Sequence, residues 1–210
     1  DVLADFDLIV ASDGVNSVVR SSFEGDFGIS LSYLPNKFAW YGVEKPFETL
    51  TQTFIETDYG PFNAHHYRYT PTMSTFLVEC ARETWDTAGF ASMDEAESSV
   101  KCAELFADTL DGKPLITNKS NWRNFPLMWN ERWSHQNMVL VGDALHTAHF
   151  SIGSGTRLAL EDVIVLVKAL EAQPDDMSAA LQSYEQTRKP IVQKIVNAAT
   201  SVVGACVLVD

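Results

Sequence analysis

Cysteine is scarce in this sequence. Cys80, Cys102 and Cys206 are widely spaced, odd in number and form no C-x-x-C. That argues against a disulfide scaffold or a cysteine metal site and fits a reducing, cytoplasmic setting. No run of 18 apolar residues and no signal-peptide pattern occurs, so nothing reads as membrane-spanning or secretory. Positive charge is also short: 15 Lys and Arg face 28 Asp and Glu, a formal net charge of −13. Nucleic acid or an anionic membrane is therefore disfavoured as the main partner, while a local pocket can still oppose the global charge for a small anion. H-E-x-x-H is absent, and nothing supplies third and fourth metal ligands around His146 and His149. G-x-S-x-G is absent too, which removes Ser12, Ser17 and the G-S-G at Gly153 to Gly155 as nucleophile elbows.

What is present suits a globular chain. Of 210 residues, 46% are hydrophobic and 20% charged, enough for one large domain or two small ones. Residues Asp7 to Ala11 read as a short buried strand, followed by the polar turn S-D-G-V-N-S. Ser17 is placed to cap a short helix from about Val18. From Asn36 to about Glu56, and again from Ala64 and from Ser74, β-branched and aromatic residues predict an antiparallel meander of roughly four strands. One of His65 and His66 should face the space between the layers and the other solvent. Helical periodicity starts near Ser92, with Asp94 and Glu95 early and Val100, Ala103, Leu105, Phe106 and Leu110 as the apolar face. A strand at Met138 to Val141 then leads through a glycine-spaced turn to a helix from about Thr156 to Leu170. P-D-D-M-S breaks it before a last helix from Met177 into the 190s.

The expected fold is α/β. A partial three-layer domain is assembled from both ends of the chain, residues 1–35 and 121–210, around an inserted, mainly antiparallel domain over residues 36–120.

Two turns carry chemistry. V-L-V-G-D-A delivers Asp143 to the carboxyl end of a strand, where open α/β sheets bind ligands and a carboxylate accepts hydrogen bonds from sugar-like hydroxyls. Gly142 permits a close approach by ligand or backbone. I-G-S-G-T runs straight into a helix, so Gly153, Ser154, Gly155 and Thr156 can leave backbone N–H groups free beside its positive end. The alternatives are a ligand cradle and a plain strand-to-helix turn. His146 reads as a structural brace of that turn, and His149 as a residue pointing toward the cradle. In the first turn, Asp13, Gly14, Asn16 and Ser17 precede Arg20, which can pair with a phosphate or with a local carboxylate.

Together these stretches resemble the class A flavoprotein monooxygenases, the aromatic hydroxylases of the para-hydroxybenzoate hydroxylase fold. D-L-I-V-A-S-D-G-V-N-S-V-V-R is similar to their DG motif, and V-L-V-G-D-A-L-H-T-A-H-F-S-I-G-S-G-T-R-L-A-L-E-D to their GD motif. The resemblance spans essentially the whole chain. It implies that Asp143 holds a ribityl hydroxyl of FAD and that the backbone from Gly153 to Thr156 faces the flavin ring, with Gly142 at the turn. It implies that Asp13 positions the FAD-binding turns and that the central strands roof an aromatic substrate. NADH or NADPH would reduce FAD, O2 would give a flavin C4a-hydroperoxide, and the hydroxyl would pass to the ring. His149 and Arg157 are the candidate catalytic side chains. Phe150 stands where the family usually has proline, Arg157 where it often has asparagine, and Ser12 where alanine or glycine is common. H-T-A-H-F-S-I-G-S-G-T-R, F-A-W-Y-G-V-E-K-P-F-E-T-L-T-Q-T-F and N-A-H-H-Y-R-Y are similar to the branch acting on aromatic coenzyme A thioesters, which includes salicylyl-CoA 5-hydroxylase and 2-aminobenzoyl-CoA monooxygenase/reductase.

The family opens on a strand and G-x-G-x-x-G, which this sequence lacks, so the expectation is a fragment that can self-associate through exposed sheet edges. The rival readings are a same-fold FAD oxidoreductase acting on a free aromatic acid or an apolar lipid, and a binding module without turnover.

Overall fold

The computed structural model describes residues 5–207, with side chains as far as residue 201. In chain order it contains β1 (Ile9–Ala11), α1 (Val18–Ser22), α2 (Glu24–Phe27), β2 (Ile29–Val43), β3 (Thr51–Thr57), β4 (Gly60–Arg68) and β5 (Ser74–Cys80). There follow α3 (Arg82–Thr87), α4 (Glu95–Leu105), α5 (Ala107–Leu110), β6 (Leu115–Ile116), β7 (Arg123–Asn130), β8 (Ser134–His135), β9 (Met138–Leu140), α6 (Gly155–Ala172) and α7 (Met177–Val207). The chain divides into two units: the residues up to Tyr33 with Pro126–Val203, and Leu34–Phe125.

The first unit is built on a three-stranded sheet of order β1-β9-β8. β1 and β9 pair in parallel, Val10 opposite Val139, so strands 129 residues apart in sequence form the α/β layer. β9 is buried throughout because its three apolar residues meet side chains on both faces. β1 is not: Val10 is 45% exposed, since β1 is an edge strand among the described residues. The core gathers Trp133, Leu140 and Leu145 with Leu158 and Leu166 of α6 and Tyr184 of α7. On α6 the buried residues are Leu158, Asp162, Leu166 and Ala169, one helical face that includes a carboxylate.

The second unit holds a sheet of order β3-β4-β5-β2-β6, with β7 paired to β2 off that path. β3, β4 and β5 form the expected meander, but β2 returns to pair antiparallel with β5, not with β3. It also begins earlier than expected, at Ile29. One face of this sheet carries Tyr41, Phe62 and Phe76 against Phe90, Phe106 and Leu110. α4 starts with a full capping box, Asp94 and Glu97 exchanging side-chain and backbone bonds of 2.9 Å. Its buried residues are Ser98, Ser99 and Cys102, while Val100, expected on the apolar face, is 59% exposed. α4 ends at Leu105 and α5 begins at Ala107, so one helical periodicity does not run from Val100 through Leu110. Cys80 and Cys102 are buried free thiols; the Cys206 side chain lies outside the described residues.

Both His65 and His66 are buried, although neighbours on a strand point to opposite faces. His66 stacks on Phe76 and Phe47 at ring distances of 5.4 and 3.9 Å. His65 lies on the other face with Gln52 at 3.0 Å and Glu79 at 4.0 Å, so that face is not simply solvated.

Candidate functional site

The site in the first unit begins where the parallel strands end. After β1, Asp13 turns its carboxylate back to the backbone of α1, accepting from Val18 N–H at 2.7 Å. Ser17 accepts from Arg20 N–H at 3.1 Å, the cap expected from the sequence. Burial works to raise the Asp13 pKa, but hydrogen bonds from Ser17 and the Val18 and Val19 amides outweigh it and hold it below the usual carboxylate range. Gly14 has φ +81°, a conformation that glycine adopts without strain.

Arg20 binds neither a carboxylate nor an open surface. It is 4% exposed and donates through Nη1 to the Ala144 carbonyl at 2.8 Å and through Nη2 to the Val15 carbonyl. It thereby ties the first turn to the second. Two backbone carbonyls supply acceptors for the forked guanidinium in place of a carboxylate.

The second turn is anchored almost residue by residue. Gly142 N–H donates to Asp162 Oδ2 at 3.1 Å, and the His146 ring meets the same oxygen at 2.8 Å. Asn130 Nδ2 donates to the Leu145 carbonyl, and Thr147 Oγ1 donates to the Pro126 carbonyl. Gly142 has φ +59°, and a Cβ there would lie 3.1 Å from Ala159 Cβ. The close approach that Gly142 permits is therefore that of α6. Asp143 differs from its neighbours: it is exposed and has no hydrogen-bond or ion-pair partner among the described residues.

Asp162 was not singled out from the sequence. It is fully buried and also accepts from Arg188 Nε of α7 at 2.8 Å, while Arg188 reaches Glu161 at 2.8 Å and the Leu158 carbonyl at 3.2 Å. A carboxylate on an apolar helix face was the available signal. Its partners, 16 to 26 residues away, were not legible.

At the other end of the turn, His149 is buried against Phe150 at a ring distance of 3.9 Å, and its Nδ1 accepts from Ser151 N–H at 3.3 Å. Gly153 closes the turn with φ +59°, and a Cβ at Gly153 or Gly155 would meet nothing within 4 Å. α6 then starts at Gly155 without a side-chain cap; the Ser154 hydroxyl bonds the Ile152 carbonyl instead. Among the described residues, the first-turn N–H groups of this 18-residue helix thus lack both intrahelical and side-chain acceptors. Arg157, in that turn, is exposed and pairs with Glu161 at 2.9 Å. An unpaired carboxylate on an anchored turn, open space over two glycines and an uncapped helix start fit a polyhydroxylated, electron-rich ligand such as FAD.

Among the described residues, no helix is long and apolar enough to cross a membrane.

A family model described as FAD binding domain matches residues 3–199. The chain is 38% identical over 205 residues to salicyloyl-CoA 5-hydroxylase from a Streptomyces species, covering 94% of this chain and 40% of that protein. It is 44% identical over 191 residues to 3-hydroxy-4-methyl-anthranilyl-[aryl-carrier protein] 5-monooxygenase from Streptosporangium sibiricum, covering 91% and 50%. The chain thus spans half or less of the length of these two relatives. Among solved structures, the probable FAD-dependent monooxygenase PqsL from Pseudomonas aeruginosa superposes with a TM-score of 0.73 at 21% identity, covering 95% of this chain and 56% of that one. On the family match over nearly its whole length, the chain belongs to the FAD-binding-domain family, with the fold of FAD-dependent monooxygenases.

Proposed function

We propose that the protein is an FAD-dependent monooxygenase that hydroxylates an aromatic ring carried as an acyl thioester, using NADH or NADPH and O2. The observation that carries the reading is Asp143, an exposed carboxylate without a partner among the described residues, on a turn whose neighbours are anchored. Anchoring removes the entropy cost of ordering that carboxylate when it accepts hydrogen bonds from ribityl hydroxyls. The N–H groups of Gly155 and Thr156 would point at the electron-rich edge of the flavin ring, where fixed donors stabilise developing negative charge. FAD, when bound, supplies the electron transfer and oxygen activation; the protein positions and shields it.

Asp13 would keep the first turn in shape through α1, and Arg20 would hold both turns at one spacing. His149 would act as a positioning residue for the turn before α6. Arg157 would be free to meet an anionic group, because an exposed i,i+4 pair is worth only about 0.3–0.5 kcal/mol. The thioester part of the reading is supported by the two relatives whose substrates are a CoA thioester and a carrier-protein thioester by name.

Oxidation of NAD(P)H by the intact protein, with salicylyl-CoA and with free salicylate, tests the activity. Stimulation by the thioester with a hydroxylated product is expected. Stimulation by free salicylate alone would replace the thioester reading with a free-acid one. FAD retention without stimulation by either compound would count against the activity and leave the cradle standing.

A further inference from the structure

The second unit contains a cavity of about 760 Å3, lined by Phe38, Trp40, Tyr67 and Tyr69 with Lys119 and Arg123. Its size exceeds what one ring needs, since a cavity of about 150 Å3 already holds benzene. It is within the range of about 300–1,000 Å3 that takes whole small molecules. Among the described residues no Asp or Glu lines it, yet Lys119 and Arg123 do. In a chain of net charge −13, that local reversal favours an anion.

The cationic end is built rather than incidental. Ser120, 3% exposed, donates to the Trp40 carbonyl, and its own N–H donates to Glu95 at 2.7 Å. That pins the segment after β6. Lys119 sits there at φ +56°, and Arg123 Nη2 donates to the Lys119 carbonyl at 3.3 Å. Neither cation pairs with a carboxylate among the described residues. At the aromatic end the Trp40 indole N–H donates to Thr75 Oγ1, which ties the ring to the neighbouring strand.

We propose that this cavity holds the phosphopantetheine arm of the thioester, its phosphate between Lys119 and Arg123 and its apolar part along Trp40, Tyr67 and Tyr69. The proposal rests on the thioester reading above. It makes Lys119 and Arg123 specificity-determining residues: a free aromatic acid reaches the ring site but leaves both cations unused. Coenzyme A and a carrier protein present the same phosphate-bearing arm.

Calorimetric titration of the intact protein with 4′-phosphopantetheine, pantetheine, coenzyme A and a phosphopantetheinylated carrier protein tests this without turnover. Phosphopantetheine should bind at least about tenfold more tightly than pantetheine, and the preference should weaken with added salt. Lys119→Asn with Arg123→Gln should reduce the preference to less than about twofold; Asn tolerates the left-handed conformation at position 119. Lys168→Ala, which removes an exposed cation on α6, should leave it unchanged. A coenzyme A or carrier-protein preference over the bare arm names the source, and either supports the shared arm. Equal binding of the two pantetheines, a preference that survives the double variant, or no binding at all would overturn the proposal. Flavin retention, measured on the same samples, reports on the cradle separately.

Discussion

Replacing Asp162 with alanine would leave the buried Arg188 guanidinium with Glu161 as its one carboxylate among the described residues and release both the Gly142 amide and the His146 ring. Removing one partner of a buried pair costs about 3–5 kcal/mol, so the thermal midpoint of Asp162→Ala should drop sharply in a calorimetric scan. An unchanged midpoint would mean that Asp162 does not hold the turn. Gly142→Ala should cost about 1–2 kcal/mol for the left-handed backbone alone, with the 3.1 Å contact to Ala159 added, and urea melting would read it. At this scale the short-range chemistry was legible: Ser17 as a cap and His146 as a brace follow from residue type and local spacing. Residue type and spacing point Arg20 toward a phosphate or a local carboxylate, but its acceptors are carbonyls 5 and 124 residues away, which spacing cannot reveal. Asp162 and Arg188 escaped notice for the same reason.

Elements were read best where apolar runs were short and bounded. The two short buried strands that become β1 and β9, and the two long helices, follow from pattern alone. The partner of β2 did not, because alternation shows that a strand exists and not which neighbour it takes. The histidines of β4 carry an element-scale prediction. Burial, with His66 adding its charge, pushes His65 down to about 4; burial, with Lys45 adding its charge, does the same to His66. The unfolded chain accepts these protons near 6.5 and the folded sheet does not, so stability should fall as pH drops from about 6.5 to about 4, and level off below. Each histidine contributes up to about 3 kcal/mol to that loss. Glu79, raised by burial against hydrogen bonds from Asn36 and Asn63, works in the opposite sense and blunts the slope. His66→Phe, which keeps the ring in its stack, should flatten the dependence of the thermal midpoint on pH; an unaltered slope would contradict the assignment.

Across the whole molecule, an acidic chain carries two local exceptions. One is the cation pair of the second unit. The other is the uncapped start of α6 beside Asp143, where backbone dipoles take the place of positive side chains. Composition made the chain's acidity plain and motif spacing pointed to the turn. The position of the cavity depends on strand order and on the segment pinned by Ser120, neither of which sequence periodicity encodes. The central claim is that Asp143 is kept unpaired for the cofactor. It is tested most directly by FAD affinity of the intact protein and of Asp143→Ala, measured by flavin fluorescence with the thermal midpoint of the cofactor-free form as a folding control. A lost hydrogen bond to a charged group is worth about 1.5–3 kcal/mol, so FAD affinity should fall roughly tenfold to a hundredfold with the midpoint unchanged. Equal FAD affinity in the two proteins would contradict the account.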